Sequence, residues 1–142
     1  MRENGQVVDA DEASFNSKYE KTLASNLAFE IFRPLHADSK RLAVVDYAGA
    51  KPTEVDAKGL LVLATLLADR LKKATSAKRV GIVLPPGIGG VVANLAVVFA
   101  DKVPVNLNFS LGRAAVESSI QRAGIDLLLS AEKVRAKLKD FP

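Results

Sequence analysis

A glycine-rich turn is the part of this sequence most suited to binding a phosphate. Residues 79–94 read RVGIVLPPGIGGVVAN, an apolar strand followed by two prolines, by Gly87, Gly89 and Gly90, and by an apolar helix. Turns of this kind bind phosphates when backbone N–H groups and the amino end of the helix converge on the anion. Whether this turn is a nucleotide site or only a tight corner therefore depends on the residues around the glycines.

The turn lacks the residues that known phosphate-binding loops require. The third glycine of the dinucleotide fingerprint falls on Val92, and residues 105–107, Val-Asn-Leu, stand where its ribose-binding carboxylate should follow. No lysine follows the glycines, as a Walker loop requires, and Pro85 and Pro86 each remove a backbone donor. We therefore interpret the turn as a corner in which glycine allows a sharp turn and close helix packing. We expect Gly89→Val to destabilise the fold, because of close packing or a positive φ at that position.

The other side chains with chemical potential stand apart from this turn. His36 is the only histidine and follows a predicted helix end, without an acid or nucleophile close in sequence. Ser17, Ser110 and Ser130 lack the context of a nucleophile elbow, and the last two are suited to capping helices. These residues therefore predict packing or capping roles.

Charged residues near the turns and at the C-terminus have ordinary structural explanations. Asp101 and Lys102 fall in a predicted turn and are interpreted as solvated charge. Residues 132–140, EKVRAKLKD, are basic and amphipathic, which suits either the outer face of a short helix or contact with a membrane surface. The absence of cysteine excludes thiol catalysis and cysteine metal sites, and it favours a reducing compartment such as the cytoplasm.

The order of apolar segments predicts an α/β fold with a three-layer, Rossmann-like core. Val80–Leu84, Val103–Leu107 and Ile125–Leu129 are predicted as neighbouring parallel strands, because helices over Gly89–Ala100 and Leu111–Ala123 separate them at the length of a crossover. Their almost purely apolar composition suits a sheet that is covered on both faces. With 142 residues, of which 49% are hydrophobic, the chain can form one real core.

An N-terminal helix and a short strand or hairpin are expected before this core. Residues 1–21 are polar and acidic and are interpreted as a tail or linker. An amphipathic helix is predicted from Thr22, and Pro34 should end it near Phe32. Arg41–Tyr47 then forms a β-prone run.

Two further helices are predicted by capping residues and periodicity. Thr53 is expected to N-cap the helix before the first core strand, with Asp56 as its capping-box partner. The predicted apolar face of that helix consists of Leu60, Leu63, Ala64, Leu67 and Leu71. A last helix, capped by Ser130, is predicted to bury Val134, Leu138 and Phe141.

The charge pattern argues against a nucleic-acid partner. The net charge is +4, but the basic residues are distributed over several predicted helices and aromatic residues make up only 6% of the chain. Nucleic-acid-binding domains place basic residues in a stripe with aromatic side chains that stack on bases. No apolar run reaches the roughly 18 residues that a membrane span needs.

The framework residues resemble a known family. Residues 79–132, RVGIVLPPGIGGVVANLAVVFADKVPVNLNFSLGRAAVESSIQRAGIDLLLSAE, are similar to the N-terminal part of the AMP-binding, adenylate-forming acyl-CoA and acyl-carrier-protein synthetases. The motifs LPP, ANLA and KVPVNLN are most similar to the bacterial acyl-carrier-protein synthetase/2-acylglycerophosphoethanolamine acyltransferase branch. The resemblance extends over residues 22–142, although Asp101 stands where the family usually has glycine.

The resemblance implies a non-catalytic N-terminal portion of a larger acyl ligase. The whole enzyme would use ATP and magnesium to join a fatty acid to AMP, pass the acyl group to CoA or acyl carrier protein, and in the fused branch transfer it to a lysophospholipid. The Thr/Ser/Gly-rich loop ending in Pro-Lys, the later nucleotide motifs and the C-terminal lysine of the family do not occur in this sequence. The resemblance therefore implies no catalytic, cofactor-binding or metal-binding residue here.

Further expectations follow from this interpretation. The chain by itself should be inactive and should self-associate through the surface that the rest of the parent domain would cover. The parent is expected in the cytoplasm or at the inner face of the membrane. The alternative hypothesis is a stand-alone Rossmann-like module that binds a nucleotide or a partner protein.

Overall fold

The computed structural model describes residues 24–108 and 112–132. Its elements are α1 (Leu27–Ala37), β1 (Leu42–Asp46), β2 (Thr53–Asp56), α2 (Ala57–Ala74), β3 (Arg79–Val83), α3 (Ile88–Phe99), β4 (Val103–Asn106), α4 (Arg113–Ala123) and β5 (Leu128–Ser130). The predicted tail at 1–21, the serines at 17 and 110, and the last predicted helix with its three apolar residues lie outside the described residues.

The central sheet confirms the α/β prediction. Its three strands are parallel and run in the order β4-β3-β5, so β3 is hydrogen-bonded on both sides. The three strands were expected to be neighbours, and this is wrong for one pair. β4 and β5 each lie beside β3, but on opposite sides of it, so they are not neighbours of each other. Crossover connections between parallel strands are right-handed. The connection from β3 to β4 and the connection from β4 to β5 run in opposite directions along the sheet, so their helices, α3 and α4, lie on opposite faces.

The two faces of β3 belong to two separate hydrophobic clusters. Val80 and Ile82 pack with apolar residues of α2 and α3, whereas Val83 packs with Val116 of α4 and with Ile125. Alternation along a strand sends successive side chains to opposite faces. The three-layer core therefore consists of α2 and α3, the sheet, and α4.

The N-terminal helix begins and ends later than predicted. Asn26 caps it by accepting hydrogen bonds from the backbone N–H groups of Ala28 and Phe29, and the helix continues through Pro34 to Ala37. Proline in a helix removes one backbone hydrogen bond. Leu35, one residue further on, is buried in a cluster with residues of α2, so tertiary packing favours the additional turn.

A β-hairpin replaces the predicted capping box. Thr53 lies in β2, which pairs antiparallel with β1, and Asp56 is the residue that caps α2 by accepting a hydrogen bond from the N–H of Gly59 at 2.7 Å. Helix α2 buries much of its predicted face, but Leu61 is buried where the periodicity suggested Leu63, which is 45% exposed. The difference arises because α1 and the hairpin cover a second side of α2.

Among the described glycines, Gly81 is the one at which an added Cβ would meet a neighbour most closely, and no feature of the sequence singled it out. A Cβ atom at Gly81 would overlap the side chain of Leu128 and would lie 3.1 Å from Ile125 Cγ2 and 3.3 Å from Leu107 Cδ1. The expectation for Gly89 is wrong on both grounds, because nothing lies within 4 Å of a Cβ built there and Gly89 is not among the described glycines with positive φ. The sheet thus needs glycine where β3 meets the α4 layer, and α3 does not need it at position 89.

We predict that Gly81→Ala lowers the free energy of unfolding by about 1–3 kcal/mol, the range for overpacking a core. Gly89→Ala is the matched control, and it should leave stability unchanged or raise it by about 0.4–1 kcal/mol because alanine restricts the unfolded chain. Urea denaturation followed by circular dichroism measures both. Equal stability of the two variants would contradict the packing assigned to Gly81.

Candidate functional site

The amino end of α3, where a phosphate would bind, is held by a carboxylate from the hairpin. Asp46 ends β1, and its Oδ2 accepts a hydrogen bond from the backbone N–H of Ile88 at 3.0 Å. Its Oδ1 accepts a second bond from the N–H of Ala48 at 2.8 Å. A carboxylate at this place interacts favourably with the positive end of the helix dipole.

The glycines of the turn permit this contact. Gly87 has φ 139°, a conformation that residues with side chains rarely adopt, and a Cβ there would lie 2.5 Å from Asp46 Oδ2. A Cβ at Gly90 would lie 3.1 Å from the carbonyl oxygen of Pro85. Two of the three glycines therefore have the corner role predicted for them, and they bring the chain against Asp46 and Pro85.

The two hydrogen bonds lower the pKa of Asp46. The larger effect comes from the N–H of Ala48 and the smaller from that of Ile88, while partial desolvation opposes both. A carboxyl group with a depressed pKa in the folded state adds stability above its unfolded pKa of about 3.9 and loses that contribution as the pH falls through the folded value. The hairpin-to-helix contact should therefore weaken in acid.

A cleft of about 520 Å³ opens beside this corner, at the carboxyl ends of β3 and β4. Its walls are mostly apolar, and no lysine or arginine is among its lining residues: Leu84, Pro85, Pro86, Gly87, Gly90, Val91, Asn94, Leu95 and Asn106. Parallel α/β sheets commonly bind ligands at this edge. The cleft is thus in the usual place for a ligand but lacks a cation for phosphate.

The polar side chains of the cleft satisfy each other. Asn94 donates from Nδ2 to Oδ1 of Asn106 at 3.2 Å, and Asn106 donates back to Oδ1 of Asn94 at 2.9 Å. Asn94 also donates to the carbonyl oxygen of Gly90 at 2.9 Å. The pair ties α3 to the end of β4 and explains the asparagines that the sequence analysis left without a role.

The described residues do not fit ATP or magnesium. The helix amino end already faces the Asp46 carboxylate, which would repel a phosphate placed there. Within residues 24–108 and 112–132, no group of three or more histidine, aspartate or glutamate side chains is arranged to hold a metal ion. That the glycine turn is a corner and not a phosphate loop therefore stays a prediction, and the Asp46 contact is an argument for it.

The remaining candidate residues are dispersed. His36 lies in the last turn of α1 and stacks on Phe32 with ring centroids 5.2 Å apart. Ser130 ends β5 and donates its hydroxyl to the carbonyl oxygen of Val83 at 3.1 Å, and the helix that it was predicted to cap lies outside the described residues. Neither of them adjoins the cleft at the carboxyl edge of the sheet.

Asp101 and Lys102 take part in the turn before β4 and are more than solvated charge. Asp101 has φ 57°, and Lys78 Nζ donates to its carbonyl oxygen at 2.7 Å and to its Oδ2 at 3.2 Å. Lys102 Nζ donates to the carbonyl oxygen of Ala77 at 2.6 Å. The left-handed backbone at Asp101 gives a physical reason for glycine at this position in the family that the sequence resembles.

Comparison with known proteins gives matches among solved structures. The chain is similar to the nonribosomal peptide synthetase FmoA3 in its alpha-methyl-L-serine-AMP bound form, with a TM-score of 0.73 and 19% identity over 83% of this chain. It is similar to a fatty acid AMP ligase from Legionella pneumophila, with a TM-score of 0.69 and 14% identity over 83% of this chain. No family model and no curated protein matches the sequence.

A third match is the N-terminal subdomain of NpsA from Klebsiella oxytoca, with a TM-score of 0.63 and 18% identity over 75% of this chain. The chain spans 13% of the FmoA3 chain, 22% of the Legionella chain and 28% of the NpsA subdomain chain. These structural neighbours are AMP-binding, adenylate-forming enzymes. At such identities the likeness establishes a shared fold, and this fold forms a small part of each larger protein.

In the part of the chain that the structure describes, no helix is both long and apolar enough to cross a membrane.

We predict that Asp46→Asn lowers the urea midpoint at pH 7, because one acceptor oxygen and the charge at the helix end are lost. The difference from the unsubstituted chain should shrink as the pH falls below about 4, where the carboxyl of the unfolded chain protonates. Glu54→Gln, an exposed change on the neighbouring strand, is the control. A difference that stays constant from pH 7 to pH 3 would contradict the charged contact.

We predict that Asp101→Val destabilises the protein by about 1–2 kcal/mol, because left-handed backbone costs a β-branched residue about that much whereas aspartate tolerates it better. Asp101→Gly should be neutral or stabilising, since the lost ion pair with Lys78 is exposed and such pairs contribute little. Thermal unfolding of the two variants measures the contrast. If glycine destabilised as much as valine, the aspartate side chain and not the backbone would be decisive.

Proposed function

We propose that this chain is the N-terminal portion of an ATP-dependent ligase that forms acyl adenylates. The observation that supports this most strongly is the fold match to adenylate-forming enzymes, in which the matched region is a minor share of each chain. One of the matched structures is an N-terminal subdomain, of which the match covers 28%. The sequence resemblance over residues 22–142 leads to the same class from different evidence.

In this proposal the chain is a scaffold without phosphate chemistry. The carboxylate of Asp46 occupies the amino end of α3, and the cleft beside it contains two asparagines and no cation. Stabilising the charge that develops during adenylation requires cationic groups or backbone donors directed at the phosphates. Residues outside this chain would supply those groups, together with ATP and magnesium.

The finer assignment concerns the substrate and the acceptor. The motifs LPP, ANLA and KVPVNLN favour a fatty acid as the substrate and a thiol carrier, either CoA or acyl carrier protein, as the acceptor. In the branch that these motifs resemble, the acyl group would continue to a lysophospholipid, which would place the parent at the inner face of the membrane. The remainder of the parent domain would be the direct partner of this chain.

A stand-alone module that binds a nucleotide is the second candidate. The position of the cleft at the carboxyl edge of a parallel sheet favours it, because doubly wound folds bind nucleotides there. The lack of a basic side chain among the lining residues opposes it. Binding of ATP by the isolated chain therefore separates the two candidates.

Pyrophosphate release with ATP, magnesium and fatty acids of graded chain length tests the proposal. We expect no release from the 142-residue chain and fatty-acid-dependent release from the protein encoded by the complete native reading frame. A parallel panel of amino acids distinguishes an acyl from an aminoacyl substrate. The Asp46→Asn chain is the control, and it should also be inactive.

Two results would overturn the proposal. Fatty-acid-dependent pyrophosphate release by the pure 142-residue chain would show that the chain contains its own catalytic groups. Saturable ATP binding by that chain in isothermal titration calorimetry, with no adenylation by the longer protein, would favour the nucleotide-binding module.

A further inference from the structure

The two outer edges of the central sheet differ in what they offer to a further strand. Along β3, alternate residues bond to opposite neighbours: the N–H of Gly81 donates to the carbonyl oxygen of Leu127, just before β5, and the carbonyl oxygen of Ile82 accepts from the N–H of Leu107, just after β4. The N–H and C=O of one strand residue point to the same side, and those of the next residue point to the other. The register of the sheet therefore fixes which backbone groups of β4 and β5 face outward.

The outer edge of β4 is blunted by proline. Val103, Val105 and Leu107 direct their backbone groups to β3, so Pro104 and Asn106 face outward. Pro104 has no N–H to donate. Proline on an edge strand is one of the devices that discourage pairing with another chain, so β4 is suited to end the sheet.

The outer edge of β5 has no such block. Leu129 directs its N–H and C=O to β3, so the backbone groups of Leu128 and Ser130 point outward. Residues 127–130, Leu-Leu-Leu-Ser, contain neither proline nor a charged side chain. Among the strands that the structure describes, none lies beyond β5. A row of unpaired backbone donors and acceptors is a template for pairing with another extended chain.

The side chains of β5 are only partly covered. Leu127 and Leu129 pack at the margin of the cluster formed by α2, α3 and β3, and Leu128 packs at the margin of the cluster beside α4. All three leucines are half-buried, whereas Val80 and Ile82 on the central strand are fully buried. A further strand beside β5 would complete the burial of these leucines, as the interior of a parallel sheet requires.

The β5 edge is complementary to itself. Two copies of β5 related by a twofold axis run antiparallel, and in such a pair one residue can exchange both backbone hydrogen bonds with the residue opposite. With Leu128 opposite Leu128 of a second copy, Leu127 lies opposite Leu129, and Asp126 lies opposite Ser130. This register pairs apolar side chains with each other and places no like charges opposite one another.

We propose that the outer edge of β5 is an interface between two copies of this chain, which pair antiparallel about Leu128 and join their three-stranded sheets into one. The partner is recognised through main-chain hydrogen bonds and through the half-buried leucines, as in other cases of strand addition. The inference goes beyond the proposed ligase function. Its test involves neither ATP nor an acyl substrate, so either proposal can fail without the other.

Hydrogen exchange of backbone amides in the full 142-residue chain tests the pairing. As the protein concentration rises, the amides of Leu128 and Ser130 should exchange severalfold more slowly, in step with the dimer fraction from sedimentation equilibrium. The amide of Asn106, which faces outward on β4, should not change and is the control. A chain that stays monomeric would overturn the proposal. Protection of Leu128 and Ser130 that is independent of concentration would also overturn it, because the same molecule would then cover the edge.

Two substitutions at Ser130 separate the outward N–H from the side chain. Both Ser130→Pro and Ser130→Ala remove the hydroxyl that donates to the carbonyl oxygen of Val83, but only proline also removes the N–H. Proline is tolerated on an edge strand, and the preceding Leu129 already lies in the strand, the extended conformation that a residue before proline favours. We expect Ser130→Pro to weaken dimerisation severalfold and Ser130→Ala to leave it unchanged.

A third variant tests the rival surface on α2. Leu66→Asp places a charge on an exposed apolar side chain of that helix and should leave the dimer intact. Dissociation by Leu66→Asp, or equal dimerisation of the two Ser130 variants, would place the interface elsewhere and overturn the proposal. Circular dichroism checks that each variant folds. If Ser130→Pro does not fold, the concentration dependence of exchange in the unsubstituted chain decides.

Discussion

The contact of Asp46 with the amino end of α3 is the interaction on which the arrangement of this protein depends most. It joins the last residue of β1 to the first residue of α3, 42 positions later in the chain, and so links the N-terminal hairpin to the parallel sheet. The contact also determines the chemistry of the glycine turn, because a carboxylate already faces the donors that a phosphate would use. The side chain of Asp46 thereby gives a structural role to a turn that resembles a nucleotide-binding loop.

The sheet depends on a second close approach, at Gly81. The central strand, β3, pairs with β4 on one side and with β5 on the other, and both neighbours are parallel to it. Reversal of direction between the two crossovers places helices on both faces, so side chains of β3 must pack in two clusters at once. Glycine at position 81 lets Leu128 and Ile125 approach the strand from the α4 side.

The structural neighbours contain this fold as one part of a longer chain. The matched region makes up 13–28% of the neighbours' own chains. The cleft at the carboxyl edge is in the conventional position, yet its polar groups are an asparagine pair that is satisfied internally.

The sequence by itself determined the α/β class, the three parallel strands and the hairpin, because these depend on local periodicity and on residue types within a few positions. Only the tertiary structure decided the strand order, the continuation of α1 through Pro34 and the partner of the glycine corner. Each of these depends on residues distant in sequence: Leu35 is buried against α2, and Asp46 reaches Ile88 from another element. Gly81 and Gly89 show the same limit, since no local pattern reveals which glycine has a neighbour within contact distance.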